Sequence, residues 1–555
     1  MKKFLTPCLA MLLAAAGCVQ VDNSLGEELI DKSLLFDTYT VEFDLDEIQL
    51  KPSSDLSGYS DSRVTIGAIR DEVFGLTTRE SAFALIPALD TLDLGVNPKA
   101  VEFELYFDAD TVSCASDDQA HIFQNIYVTE LLSPLDPDDK KTTREIAHSD
   151  EIITDGIPVY NGEGPLNFQF TKEFAQKYVD VLSSMGPVLI DRVSDNGVDK
   201  YEDFVKALPG IHLKTDEPFD YGGRINLFDL SCLTVVDGYY YRNNNVCLLK
   251  VNSTWNGVQK DSTFMFIPGE PAFLDEAASI KGNTKFYQYA FNRATHSTEE
   301  QLATENILVE GGGGLKPVIM ASELQRKTQE AINGKVGNHE KAIIIKATIV
   351  LPFEMPENYL DMKYFPSVLS PTIRTVTKDD AGDELISFAG LTDASVSTED
   401  QGDIDRSNLV YSPDITYHLQ EILNRTDLDT ATDADIWLLT IHTEKVADAN
   451  GSAYDNEYYR QLLYASYYSS LYGGGYGGYG GYGYSGYGGY GGYGGYGYSN
   501  YYNYMMLAQA MAASSQQTYS YTTELDKDRY YCGKLCGPFS ERKPFFRVTF
   551  AIPKE

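Results

Sequence analysis

The apolar residues of this chain come in short runs that alternate with polar ones and end at turn residues, and this pattern constrains the fold more than any other feature. Val101, Phe103, Leu105 and Phe107 alternate with Ala100, Glu102, Glu104 and Tyr106. A period of two sends successive side chains to opposite faces of a strand, so the segment reads as a half-buried strand rather than one flank of a helix. Further strands are expected at 64–70, 121–130, 187–192, 210–214, 224–236, 246–251, 264–268, 341–353, 435–442 and 544–552. Helical spacing is confined to patches. Phe170, Phe174, Tyr178 and Leu182 form one stripe, and Tyr201, Phe204, Val205 and Leu208 a second. Ile415, Leu419, Ile422 and Leu423 form a third behind Asp414 as N-cap. A short helix is also expected at 507–513.

The order of elements repeats. A strand at 100–107, a helix at 170–182, a strand at 210–214 and a closing strand from 224 are matched by 341–353, 414–423, 435–442 and 544–552. The expected fold is therefore mainly β: two tandem jelly-roll-like β-sandwich domains, 36–270 and 301–555, joined by a connecting region at 271–300 and carrying a few packed short helices. The second domain holds a Tyr/Gly-rich insertion at about 446–528. Glycine carries the largest ordering entropy and these tyrosines lack aliphatic neighbours, so the insertion is expected to be disordered. It reads either as a sticky segment for glycan contact or self-association, or as a solvated expansion within a permissive loop.

Charge narrows the function. The 555 residues carry 44 basic and 81 acidic side chains, a formal net charge of −37. With no basic block in the body of the chain, there is no electrostatic footprint for a phosphate backbone, and nucleic-acid binding is excluded. The start of the chain is different. Lys2 and Lys3 precede an apolar run from Leu9 to Ala16, followed by Gly17-Cys18. The run is shorter than the ~18 apolar residues of a spanning helix and has small residues where a peptidase would close. This reads as a lipoprotein signal peptide at 1–17, with Cys18 as the lipid attachment and 18–35 as a lipidated tether. Several acyl chains at ~0.8 kcal/mol per buried methylene would hold the chain to a membrane stably. The segment after Cys18 carries a single acid, Asp22, so the periplasmic and cell-surface faces of an outer membrane both stay open. Beyond Cys8 and Cys18 the cysteines are Cys114, Cys232, Cys247, Cys532 and Cys536, an odd number. Cys532 and Cys536 read as a candidate short-loop disulfide or as free thiols. Neither hairpin register available to 232–247 joins Cys232 to Cys247.

Catalytic patterns are lacking. His121, His148, His212, His296, His339, His418 and His442 show no spacing that puts two imidazoles on one helical face. There is no Gly-x-Ser-x-Gly elbow. The run Gly311-Gly312-Gly313-Gly314 continues into Leu315-Lys316-Pro317 without the ending or helix start of a phosphate loop, and reads as a turn or bulge beside a strand. Asp427, Asp429, Asp433 and Asp435, and separately Asp400, Asp403 and Asp405, could converge on calcium or be solvated loop acids. A glycosidase pair, two carboxyls roughly 5 or 6.5–9.5 Å apart, is not legible from spacing. No cofactor or metal is assigned.

Several segments together resemble a Bacteroidota lipoprotein family catalogued only as domain-of-unknown-function family 4270. They are Asp22-Asn23-Ser24-Leu25-Gly26; a Gly67-x-x-x-Asp71-x-x-Phe74-Gly75-x-Thr77-Thr78 signature; 204–214; and Val309-Glu310 with the glycine run through Lys316. Within each half the element order is similar to jelly-roll modules of the carbohydrate-binding kind, and Ser540-Glu541-Arg542 before the last strand resembles their closing motif with Glu and Arg transposed. The resemblance implies fold and location more than activity. The expectation is a lipid-anchored, non-enzymatic binding or structural component at the outer membrane, its ligand a glycan or an envelope partner protein. The alternatives are a subunit of an outer-membrane assembly or export complex and a glycan-active hydrolase.

Overall fold

The structure, a computed structural model, describes residues 35–88, 91–116, 119–191, 198–231, 233–236, 239–242, 245–272, 285–287, 289–378, 384–391, 402–428, 433–447 and 519–554. The fold is mainly β, built of several antiparallel sheets. Two large apolar cores organise them.

The first core lies between a ten-stranded sheet and a five-stranded sheet. The strand Arg63–Asp71 sits inside the larger sheet between Gly75–Phe83 and Gly222–Asp229. One of its faces gives Val64 and Ile66 to the first core, while the opposite face puts Ile69 against Ile225, Leu227, Tyr364 and Tyr530. A strand buried on both sides has no polar face, which explains its near-continuous burial. The smaller sheet contributes Phe103, Leu105 and Phe107 from Val96–Phe107, covered by Phe174 and Tyr178 of the helix Lys172–Met185. Val101 departs from the expected alternation. The register shifts opposite it, from Lys250↔Glu102 to Val251↔Ala100, so the bulge leaves Val101 unpaired and 41% exposed.

The second core takes both ends of the described chain. Phe36–Asp44 pairs with Phe545–Pro553 in unbroken register, with Tyr39 and Phe43 facing Phe550 and Phe546 at ring separations of 5.7 and 5.5 Å. Gln49–Pro52 pairs with Leu315–Ile319. Residues 36–52 thus hydrogen-bond within the C-terminal half, although the expected division groups them with 36–270. Within the connecting region, where the sequence also predicts a strand at 285–292, Ala290–His296 is a sheet strand paired with Gly75–Phe83. Two helices cover this core: Thr416–Ile422 and Ala321–Val336, the latter not anticipated from the sequence. Ile415, not Asp414, is the N-cap of the first. Asp414 is buried and accepts from the Thr416 amide at 2.9 Å.

Ile436–Ala447 pairs with Tyr519–Leu525, and Asp526, Lys527 and Asp528 are buried. The expected insertion limit of 528 therefore includes ordered sheet. The Tyr/Gly run, the 507–513 helix and Cys18 lie outside the described residues.

Candidate functional site

The signature around Gly67 builds a hairpin that staples the two halves. Asp71 Oδ1 accepts from the Val73 and Phe74 amides at 2.7 and 2.9 Å, closing the turn. This drives Phe74, 1% exposed, into the second core. Past the turn, Arg79 is fully buried, and its Nη1 donates to the Thr78 carbonyl at 3.1 Å and to His296 Nε2 at 3.2 Å. His296 Nδ1 faces Glu310 Oε1 at 3.1 Å. With Nε2 accepting from Arg79, the proton belongs on Nδ1, donated to Glu310. Burial holds the His296 imidazole below its ordinary pKa, so it is neutral at pH 7. Burial pushes the Glu310 carboxyl up, but hydrogen bonds from His296, Thr298 and the Leu315 amide outweigh it and hold the group below the usual carboxylate range.

The glycine run closes this cluster as a tight loop between Asn306–Glu310 and Leu315–Ile319. Its backbone carbonyls turn inward, the reverse of a phosphate loop. Lys316 Nζ donates to the carbonyls of Glu310, Gly312 (3.1 Å) and Gly314 (3.3 Å), and Ser53 Oγ donates to those of Gly312 and Gly314. Burial lowers the Lys316 pKa to about 7 against the opposing pull of Glu310. Glycine is required here for space as well as conformation. A Cβ on Gly312, at φ +56, would lie 2.9 Å from Arg79 Nη2; on Gly314 it would lie 2.5 Å from the Glu310 Cβ. The residues following the insertion complete the seam. Asp526 is fully buried and accepts from Arg529 and from the Tyr531 hydroxyl, while Asp528 accepts from Ser60 and Asn292.

A groove of about 700 Å³ opens at the same boundary. Asp71, Cys114 and Tyr221 line it from the first half. From the second half come Glu305, the segment 354–357, Asp361, Tyr364, and residues of 530–536 and 540–542. The Tyr364 hydroxyl donates to the Cys114 carbonyl. Arg542 Nη1 donates to the Phe353 carbonyl and Nη2 to the Asn408 carbonyl, both at 3.0 Å. Burial, and after it Asp71, pushes the Cys532 thiol up to about 12, and burial followed by Glu354 raises that of Cys536. These thiols are protonated at neutral pH and lack the thiolate character of a nucleophile.

Cys532 and Cys536 do not form the candidate disulfide. Both are free thiols at the two ends of one five-residue strand, Cys532–Cys536, paired with Asn306–Glu310. At roughly 3.3 Å per residue the strand separates their Cα atoms by about 13 Å, beyond the ~7 Å a disulfide spans. Of the candidate calcium acids, Asp400 and Asp429 lie outside the described residues, and the others are engaged elsewhere or buried. Arg425 occupies the space between Asp427 and Asp433, with contacts of 2.7 and 3.0 Å, and Asp435 accepts from the Ala321 amide at the start of a helix. Asp405 is spent on the Ser407 and Asn408 amides. Burial lifts Asp403 to about 6. Among the described residues no group of three or more His, Cys, Asp or Glu is arranged to hold a metal. Histidines that appear scattered in sequence do meet: His148 and His212 stack at 4.2 Å, and His212 Nε2 reaches Glu80 at 3.1 Å.

Two of the quoted motifs thus supply groove residues, Asp71 from the hairpin signature and Glu541-Arg542 from the closing motif. Glu354, Glu357, Asp361, Tyr221 and Tyr364 were not anticipated. The only local signal is 354–364, a segment of three acids and two tyrosines. No helix among the described residues is long and apolar enough to cross a membrane. No protein-family profile, no curated protein and no solved structure matches the chain.

Proposed function

We propose that this chain is an outer-membrane lipoprotein, acylated at Cys18, whose two jelly-roll-like halves form a non-enzymatic binding component of the envelope. Kinship with the Bacteroidota family named above belongs to the same reading. The observation that carries it is the contrast at the seam. The buried charges there bond within the protein, Arg79 through Nη1 alone, while an adjacent groove of about 700 Å³ leaves carboxylates and the Tyr221 ring open to a ligand. Clefts between structural units are where ligands commonly sit. The ligand is a glycan or a partner protein. As a subunit of an assembly or export complex, the chain would use the same groove. The acidic, ring-bearing lining also supports a second reading, a glycan-active hydrolase with its carboxyl pair in the groove.

Metabolic labelling with radioactive palmitate tests the anchor. Label is expected in the wild-type protein and absent from Cys18→Ala; an unlabelled wild type overturns the lipoprotein reading. Purification of the full chain in mild detergent, followed by a glycan array and identification of stoichiometric partners, tests the binding role. Release of reducing ends from a glycan, abolished by single groove substitutions such as Glu354→Gln or Glu357→Gln, would replace it with the hydrolase.

A further inference from the structure

We infer that the seam groove docks a basic polypeptide segment carrying apolar side chains, so that the ligand of the reading above, on which this inference rests, is a protein rather than a glycan. The first observation is the shape and rim of the cavity. Its walls bring together stretches from both halves, and the chain next to each wall exposes large apolar side chains. Met355, on the wall itself, is 49% exposed, and in sequence the exposed Phe219 and Tyr359 stand two residues before Tyr221 and Asp361, with the exposed Phe539 next to Ser540. Exposed apolar side chains mark interaction sites where they gather, and aromatic residues and methionine are enriched in them.

The second observation is charge. Asp71, Glu305, Glu354, Glu357, Asp361 and Glu541 line the cavity against only Lys534 and Arg542, a net of −4. Arg542 is further committed to the carbonyls of Phe353 and Asn408. A complementary ligand therefore brings its own cations, as lysine or arginine side chains do. The third observation concerns the floor. Tyr364 and Tyr530 in the lining are 6% and 4% exposed, and the Tyr364 hydroxyl is spent on the Cys114 carbonyl, so the floor is apolar and its exposed ring belongs to Tyr221, 46% exposed. An apolar floor under an acidic wall suits an inserted side chain next to a cation, and the oligosaccharide arm of the test below decides against a pyranose stacked on Tyr221.

The test uses the full chain in mild detergent and, as probe, a fluorescently labelled ten-residue peptide alternating lysine and phenylalanine, read by anisotropy. Two double variants are compared: Glu357→Lys with Asp361→Lys in the groove, and Glu173→Lys with Asp180→Lys on the exposed side of a helix outside it. Each replaces two carboxylates by two ammoniums, taking the formal charge from −37 to −33, so diffuse attraction falls equally in both. The groove variant is expected to bind roughly tenfold more weakly than wild type and the other within about twofold. If the groove variant fails to fold, Glu357→Gln with Asp361→Asn gives the same comparison with a smaller loss. Equal losses in the two variants, or none in either, overturn the proposal. Neutral oligosaccharides that bind in a groove-dependent way while the peptide does not would also overturn it, yet leave the anchored binding module standing. Absence of palmitate label fails that module independently.

Discussion

Two regions share the boundary between the halves, and they handle charge in opposite ways. Around the glycine run, Arg79, His296, Glu310 and Lys316 are out of water, tied to one another or to backbone carbonyls. A few residues away, the groove keeps its carboxylates at the surface and its thiols protonated. An unpaired buried charge is costly, so the first region tolerates one arrangement and acts as a joint. The second can exchange water for a ligand. Charged residues thus mean structure in one place and recognition in the other, and burial is what separates them.

The comparison breaks most severely at Glu310. Glu310→Ala leaves Lys316 without its nearest opposite charge and removes the acceptor of His296, Thr298 and the Leu315 amide. It is expected to cost about 3–5 kcal/mol of stability in denaturant unfolding of the full chain. A loss below ~1 kcal/mol would mean that the cluster is hydrated.

Lys316 sharpens the contrast through pH. Its pKa falls from 10.5 in the unfolded chain to about 7 when folded, so between these values the unfolded state binds more protons and stability rises with pH. The slope attributable to this group approaches ~1.4 kcal/mol per pH unit. Lys316→Met is expected to flatten the rise between pH 7 and 10. The buried imidazoles act lower down: His212, His296 and His418 are all held below 6.5 by burial, His418 at about 4. Stability is therefore lost as pH drops below 6.5, where the unfolded chain takes up protons that the folded one refuses. An unfolding midpoint constant from pH 7 to 4.5 would contradict this.

Gly312→Ala should cost about 1–3 kcal/mol, because the new Cβ needs a positive φ and meets the Arg79 guanidinium. The groove acids should behave otherwise. Glu357→Gln is expected to shift stability by less than ~0.5 kcal/mol, since a solvated carboxylate has little to lose. Smallest of all is the effect of reductant. With Cys532 and Cys536 free, dithiothreitol should leave the thermal transition where it is, and these two thiols should alkylate slowly until the chain is unfolded.

Much of the secondary structure is legible in the sequence because the local pattern carries it. The strands at 211–215 and 246–255 and the helix Lys172–Met185 follow their periodicities. The Asn256-Gly257 turn, at φ +50 and +80, is a hairpin signal between Trp255 and Val258 that the sequence carries locally. Ala321–Val336 is harder to read. Its buried seam is only Ala321, Leu324, Thr328 and Ile332 in an otherwise polar segment, too narrow for an amphipathic stripe. The joint was half legible. The glycine run and the Gly67 signature each stand out, but nothing in either spacing says that Arg79 meets His296 and Glu310 beside that loop.

By itself, the sequence determined the β-rich character, the local strands and the acidic net charge, and it raised the expectation of an acyl anchor at Cys18. Each follows from neighbours in the chain, through periodicity, composition or a short motif. Only the tertiary structure decided that Phe36–Asp44 pairs with Phe545–Pro553, that Cys532 and Cys536 stay apart, and that acids from distant segments share one groove. Alternation specifies which face of a strand is buried but not which strand lies beside it. That choice is made when apolar faces and hydrogen-bonding edges hundreds of residues apart find the one packing that satisfies both.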